Sequence, residues 1–241
     1  MNLKGKTILV TGSARRIGRI LALAVAKAGG DVIIHHNNSP DEAEITKQKI
    51  SALGQEATIL QADFSDPESI DKFIKETFSS RKLDGLVNNA SVFSNLSWAD
   101  TKLKQWNNHL SINLTAPFLL SQAFGKNISK KLDGRIINIL DWRALQPGAD
   151  HLPYTISKAG LAALTKSLAI ALAPNITVNG IAFGAVLSPS DGGNTANILS
   201  PVHIPRWAEI TEVEETLLFL LAGPKYITGE IIHLDGGRHL S

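Results

Sequence analysis

Tyr154 and Lys158 lie four residues apart at the start of a helical pattern, so their side chains share one helix face. An ammonium beside a phenol favours the phenolate. The spacing therefore predicts a tyrosine whose pKa is drawn down toward the working pH, making Tyr154 a general acid. Lys158 can also bond a ribose hydroxyl of a bound nucleotide. Thirteen residues before that tyrosine, after a strand-like run, stands Asp141. An ionised carboxylate accepts hydrogen bonds and donates none.

A second constellation is built to hold phosphate. Thr11-Gly12-Ser13-Ala14-Arg15-Arg16-Ile17-Gly18 follows the first strand and opens the first helix. Glycine permits a tight turn and close approach of a pyrophosphate, and a helix N-terminus offers free N–H groups and a positive dipole. Arg15 and Arg16 add two guanidinium groups suited to anions. At the end of the second strand, an acid would bind the ribose diol of NAD and repel a 2′-phosphate. The chain instead reads His35-His36-Asn37-Asn38-Ser39, with no acid before Asp41. Neutral donors at His36, Asn38 and Ser39, with arginine in the glycine loop, favour NADPH; the plainer reading is a polar loop.

These residues need a scaffold, and short β-rich runs alternate with helical patterns along the chain. Strands are predicted at Thr7–Thr11, Asp31–His36, Ala57–Gln61, Gly85–Asn88, Arg135–Leu140, Ile176–Ile181 and Glu230–Leu234. Helices are predicted at 18–29, 40–53, 67–79, 101–125, 155–172 and 211–222, with Ser39-Pro40 and Asp66-Pro67 as N-cap and first-turn proline. Nearly continuous apolar strands suit a parallel sheet covered on both faces. Strict alternation makes the fold α/β, a doubly wound parallel sheet of Rossmann type in three layers, with one domain over residues 1–241. Such sheets bind ligands beyond the carboxyl ends of their strands. The irregular stretch 184–206, rich in Ser, Pro, Gly and Asn, reads as a substrate loop.

Composition narrows the field. The formal charge is +2 and the basic residues are scattered. The densest run, Lys126–Lys131, reads as a solvated helix end, so no nucleic-acid partner is expected. Cysteine is absent, which removes disulfides, thiol nucleophiles and Cys-ligated zinc. Polar Met1–Lys6 runs into a strand without room for a signal peptide, and no apolar run spans a membrane, so a cytoplasmic protein is expected. Seven histidines form no His-x-x-x-His or Glu-x-x-His cluster, and adjacent His35 and His36 face opposite ways on a strand, so no metal is expected.

The set Thr11-Gly12…Ile17-Gly18, Asp63, Asn88-Asn89-Ala90, Asn113, Tyr154-x-x-x-Lys158 and Asp235-Gly236-Gly237 resembles the short-chain dehydrogenase/reductase family over nearly the whole chain. The resemblance implies that Asp63, with Phe64 beside it, holds the adenine. It implies that Asn89-Ala90 and Ser91 line the cofactor channel and that Asn113 supports a proton-relay water. Gly184, in Phe183-Gly184 where Pro-Gly is usual, offers a backbone contact to the nicotinamide amide.

The family usually carries, thirteen residues before the tyrosine, a serine that donates to a substrate carbonyl, and Asp141 stands in its place. The resemblance then implies that this acceptor repels the oxygen of a ketone gaining hydride, suits a substrate carrying N–H donors, and can carry a proton to a ring nitrogen. With Arg16 replacing a glycine, Phe93 after Asn89-Ala90, and the ending Asp235-Gly-Gly-Arg238-His239-Leu240, the chain is similar to the pteridine and dihydromonapterin reductases. That similarity implies that Phe93 stacks on a pterin, that Arg16 and Asp141 hold its polar edges, and that Tyr154 and Asp141 share the proton relay. It also implies a homotetramer built on the small-residue face of the 155–172 helix and on the 211–222 helix. Phe93 in the core and Asp141 in a decayed site are the plainer alternatives. Trp106 and Leu110 read as core; Trp142, beside Asp141, is a candidate border of the substrate site, and His151 and Trp207 are further candidates whose direction the sequence does not fix. The expectation is NADPH-dependent reduction of a pteridine C=N bond. Carbonyl reduction and a non-catalytic NADP-binding role are the rivals.

Overall fold

The computed structural model describes residues 1–79, 82–128, 133–188, 198–200 and 202–240. Parts of the Lys126–Lys131 run and of the 184–206 loop lie outside them. Strands β1 (Thr7–Val10), β2 (Asp31–His36), β3 (Ala57–Gln61), β4 (Gly85–Asn88), β5 (Gly134–Asp141), β6 (Ile176–Phe183) and β7 (Ile231–Leu234) form one parallel sheet in the order β3-β2-β1-β4-β5-β6-β7. Every pairing is parallel. The order reverses direction between β1 and β4, which opens a crevice at their carboxyl ends.

The apolar strand runs are buried on both faces, as continuous hydrophobicity demands. Leu9, Ile33, Leu86 and Ile136 face one layer, while Val10, Ile34, Val87 and Ile137 face the other. The second layer comprises α1 (Arg16–Lys27), α2 (Pro40–Ala52) and α7 (Ile210–Ala222). The first comprises α3 (Pro67–Ser79), α5 (Ala116–Asn127) and α6 (Leu152–Ala171). Strands β5 and β6 run on to Asp141 and Phe183, beyond their predicted ends, because they pair with each other to the last residue. That extension carries Asp141 to the sheet's carboxyl edge.

Three local readings change. The predicted helix 101–125 is split into α4 (Leu103–Leu110), a π turn over Ser111–Thr115, and α5. Pro117 has no N–H, so the Asn113 carbonyl loses the donor that an α-helix would give it. Trp106 and Leu110 are only half-buried, and His109 takes the buried position on that helix. Of the two predicted caps, the Asp66 carboxylate accepts from Glu68 N at 3.1 Å, whereas Ser39 makes no side-chain cap.

His35 and His36 are both buried, and His35 ties the crevice to the core. Its ring stacks on Phe64 at 4.0 Å; its Nδ1 accepts from Gly12 N at 2.9 Å, and its Nε2 lies 3.1 Å from the Ala62 carbonyl. Burial, the largest cause, lowers its pKa from 6.5 to about 4. The folded chain therefore holds His35 neutral across a window in which the unfolded chain binds a proton. Stability should fall as pH drops from 6.5 to about 4, by about 3 kcal/mol in all. Urea unfolding at both ends of that window should show a flatter pH dependence in His35→Gln, and an unchanged slope would remove His35 from the account.

Candidate active site

The glycine turn after β1 is shaped by close contact. Gly12 has φ +62°, and a β-carbon there would lie 2.9 Å from Ala90 Cα. Gly18 is tighter, since its added β-carbon would stand 2.0 Å from the Gly12 carbonyl oxygen and 2.7 Å from Asn89 Nδ2. Thr11 Oγ1 accepts from Asn89 N and Ala90 N, each at 2.9 Å, and Asn89 Nδ2 donates to the Thr11 carbonyl at 2.8 Å. Two loops from neighbouring strands are thus locked into one wall. Gly18→Ala should cost about 1–3 kcal/mol and abolish dinucleotide binding, checked by unfolding and by cofactor titration. Binding at wild-type strength would contradict the close packing.

Arg15 and Arg16 are exposed beside this turn, with Ile17 half-buried. Arg16 takes the left-handed backbone (φ +52°) that favours glycine, and its Nη2 donates to the Ser188 carbonyl at 2.8 Å. It thereby bridges the glycine turn to the segment after β6. No carboxylate stands among His36, Asn38 and Ser39 at the end of β2, where His36 is buried and Asn38 exposed. Asp63 is held by Ser65 N at 2.8 Å, which with its other hydrogen bonds keeps its carboxyl below the usual range. The Phe64 side chain is buried against His35 and Phe73. Ser91 is exposed at the mouth, and Gly184 N donates to the Leu234 carbonyl at 3.0 Å, closing the β6–β7 side.

Four polar side chains converge at the ends of β5 and α6. The Tyr154 hydroxyl donates to Asp141 Oδ2 at 3.1 Å, and Asp141 Oδ1 accepts from Arg143 N at 2.9 Å. Lys158 Nζ donates to the Ile139 carbonyl at 2.6 Å and lies 5.8 Å from the Tyr154 ring centre. Asn113, fully buried, bonds Val92 N, Val92 O and Ser157 Oγ at 2.9, 3.0 and 2.9 Å. Ser157 Oγ donates to the Tyr154 carbonyl at 2.7 Å, so the π turn steadies the helix that carries the tyrosine.

The electrostatics correct one expectation. Tyr154 is not drawn down: burial first, then the facing Asp141 charge, holds its phenol well above 10. Burial also raises Asp141, against the opposing Arg143 and Tyr154 contacts, and lowers Lys158 to about 8. The site therefore stores protons on Tyr154, and on Asp141 further toward neutrality than an ordinary carboxylate.

Phe93 is not a core residue. It is 56% exposed, meets the Tyr154 ring edge-on at 4.6 Å, and stacks on His151 at 4.0 Å. Arg143 escaped the motif reading: its Nη2 donates to Asp150 at 2.9 Å, and its guanidinium packs on Trp142, which Arg238 also meets at 4.3 Å. Only its place two residues after Asp141 marked it in sequence. Among the described residues, no group of three or more metal-ligating side chains forms, and no helix is long and apolar enough to cross a membrane.

A glycine turn at the topological switch of a parallel sheet, with a Tyr–Lys–Asp cluster at the carboxyl end of β5, is the arrangement of an oxidoreductase. The chain belongs to the short-chain dehydrogenase family, whose model matches residues 6–198. It is 34% identical to a 3-oxoacyl-[acyl-carrier-protein] reductase of Synechocystis sp., covering 98% of this chain and 97% of that one. It is 36% identical to the 2-dehydro-3-deoxy-D-gluconate 5-dehydrogenase of Bacillus subtilis, covering 98% and 95%. Among solved structures, FolM alternative dihydrofolate reductase 1 of Brucella canis, complexed with NADP, is similar at TM-score 0.92 and 33% identity, covering 99% and 96%.

Proposed function

We propose that this protein is an NADPH-dependent reductase of a pteridine C=N bond, in a dihydropterin, a dihydrofolate or a related heterocycle. The observation that carries the reading is the Tyr154 hydroxyl donating to Asp141, which places an acceptor where a carbonyl substrate needs a donor. The likeness to an alternative dihydrofolate reductase supports it.

The crevice suits the dinucleotide. Gly12 and Gly18 leave room for close approach, Arg15 and Arg16 offer charge to phosphates, and the end of β2 lacks an acid that would repel a 2′-phosphate. Asp63 and the Phe64 backbone hold the adenine end. Asn89, Ala90, Ser91, Lys158 and Gly184 hold the nicotinamide end. When bound, NADPH supplies the hydride that reduces the carbon of the C=N bond.

The chain's own residues manage the proton. Asp141 accepts from an N–H on the ring edge and, when protonated, delivers its proton to the ring nitrogen directly or through water. Tyr154 passes a proton to Asp141 along its hydrogen bond as it is itself reprotonated from the Lys158 side, by a solvent-connected water that Asn113 would support. Phe93 offers its face to the ring, and Arg16 reaches the polar edge. One proton from solvent balances each hydride. We place the protein in the cytoplasm as a single-domain chain that forms a homotetramer. Exposed Ile156 and Ile170 on α6 and Ile210 on α7 support that assembly, and sedimentation velocity tests it.

The 3-oxoacyl thioester reductases among its relatives support a second reading, carbonyl reduction on the same scaffold. NADPH consumption with dihydrofolate, dihydrobiopterin and an acetoacetyl thioester separates the two. Turnover confined to the pteridines is expected. Turnover of the thioester alone would transfer the site to carbonyl chemistry, and tight NADPH binding with no turnover would make it a binding protein.

A further inference from the structure

His151 stands three residues before Tyr154, at the N-cap of α6, with φ +51°. A left-handed backbone costs a residue with a β-carbon about 1 kcal/mol or more, and persists where surrounding contacts hold it. Two contacts hold it here. Nδ1 lies 3.1 Å from the Ser94 carbonyl, which places the proton on Nδ1, and the ring lies on Phe93 at 4.0 Å with 11° between planes. The His151 side chain is only 14% exposed, while Phe93 remains 56% exposed, so one Phe93 face is covered and the other is open. The same Phe93 ring stands at 79° to the Tyr154 ring, directly beside the proton donor. Behind the stack, Asp150 Oδ2 lies 3.8 Å from His151 Nε2 and is gripped by Arg143, whose backbone N–H holds Asp141.

We propose that His151 is a positioning residue that fixes the plane of Phe93 and so reserves its open face for one flat ring beside Tyr154. Phe93 alone could turn about its side-chain bonds. Backed by His151, it presents a set surface, and a planar substrate gains from stacking without first ordering that surface. The ligand class is therefore a flat heteroaromatic ring, and a flexible acyl chain gains nothing from the same arrangement. The assignment rests on the pteridine reading for its substrate but not for its geometry.

The test uses His151→Asn, because asparagine tolerates the left-handed backbone while removing the ring. His151→Gly serves in its place if that variant folds poorly. Loss of an aligned aromatic stack should raise KM for dihydrofolate about tenfold. The value of kcat should stay within about threefold and NADPH affinity should be unchanged. In a Phe93→Leu background the same substitution should add nothing further, because His151 acts through Phe93. A crystal structure of the NADPH-loaded variant should show Phe93 turned from its edge-on setting against Tyr154. An unchanged KM in an enzyme that reduces dihydrofolate, additive effects in the double variant, or an unmoved Phe93 would each overturn the assignment. If the wild type does not reduce dihydrofolate, the pteridine reading falls. The plane of Phe93 in the variant then decides, with rotation supporting the role and no rotation refuting it.

Discussion

Tyr154→Phe is expected to lower kcat for pteridine reduction by about 10²–10⁴-fold while NADPH affinity stays within about twofold. The hydroxyl is the group hydrogen-bonded to Asp141, and burial together with the Asp141 charge keeps it protonated. Removing it takes away the proton reserve and leaves a partly buried carboxylate with one fewer donor, which costs about 1 kcal/mol of stability. Single-turnover NADPH oxidation separates this loss from product release, and a thermal melt measures the stability change independently. In the wild type, the same chemistry should weaken as pH passes about 8, where Lys158 loses the charge that burial already disfavours. A Tyr154→Phe enzyme that kept its rate would transfer the proton to another donor.

The second large effect is expected from Asp141→Ser, which converts the acceptor at the end of β5 into a hydroxyl that can donate. Pteridine turnover should fall by about 10²–10³-fold, the scale seen when one preorganised polar partner is lost from a reacting centre. Turnover of an acetoacetyl thioester should rise, because a serine hydroxyl can bond the oxygen that gains charge. The two substrates must move in opposite directions, which a general loss of folding would not produce. The pH profile carries a further sign. Burial raises the Asp141 pKa, so its protonated form persists toward neutrality and is lost as pH rises. The rate should thus decline on that limb in the wild type and not in Asp141→Ser. Unchanged pteridine turnover would defeat the carboxylate argument and with it the proposed substrate.

Much of this centre was legible from local chemistry. Short β-rich runs, several of them nearly continuously apolar, marked the seven strands, because a parallel strand covered by helices is buried on both sides. Gly12 and Gly18 announced a tight turn because no other residue fits the space now seen around them. The split at Asn113 was written in Pro117, whose missing N–H breaks an α-helical ladder, yet a helical periodicity reading passes across it. The tyrosine pKa was misjudged for a different reason. Spacing placed Lys158 beside Tyr154, but burial and the facing carboxylate outweigh that ammonium, and neither is a property of the interval between two residues.

By itself the sequence determined the parallel doubly wound sheet, the phosphate turn, the helix face shared by Tyr154 and Lys158, and the carboxylate at 141, all consequences of residue type and short-range spacing. Only the tertiary structure decided that Phe93 is exposed and backed by His151, that Arg143 holds both Asp141 and Asp150, and that Arg16 reaches Ser188. The Phe93–His151 and Arg16–Ser188 contacts join segments far apart in the chain, and the Arg143 contacts depend on how the turn after β5 folds back. Their geometry is set by how whole elements pack, which no local pattern encodes.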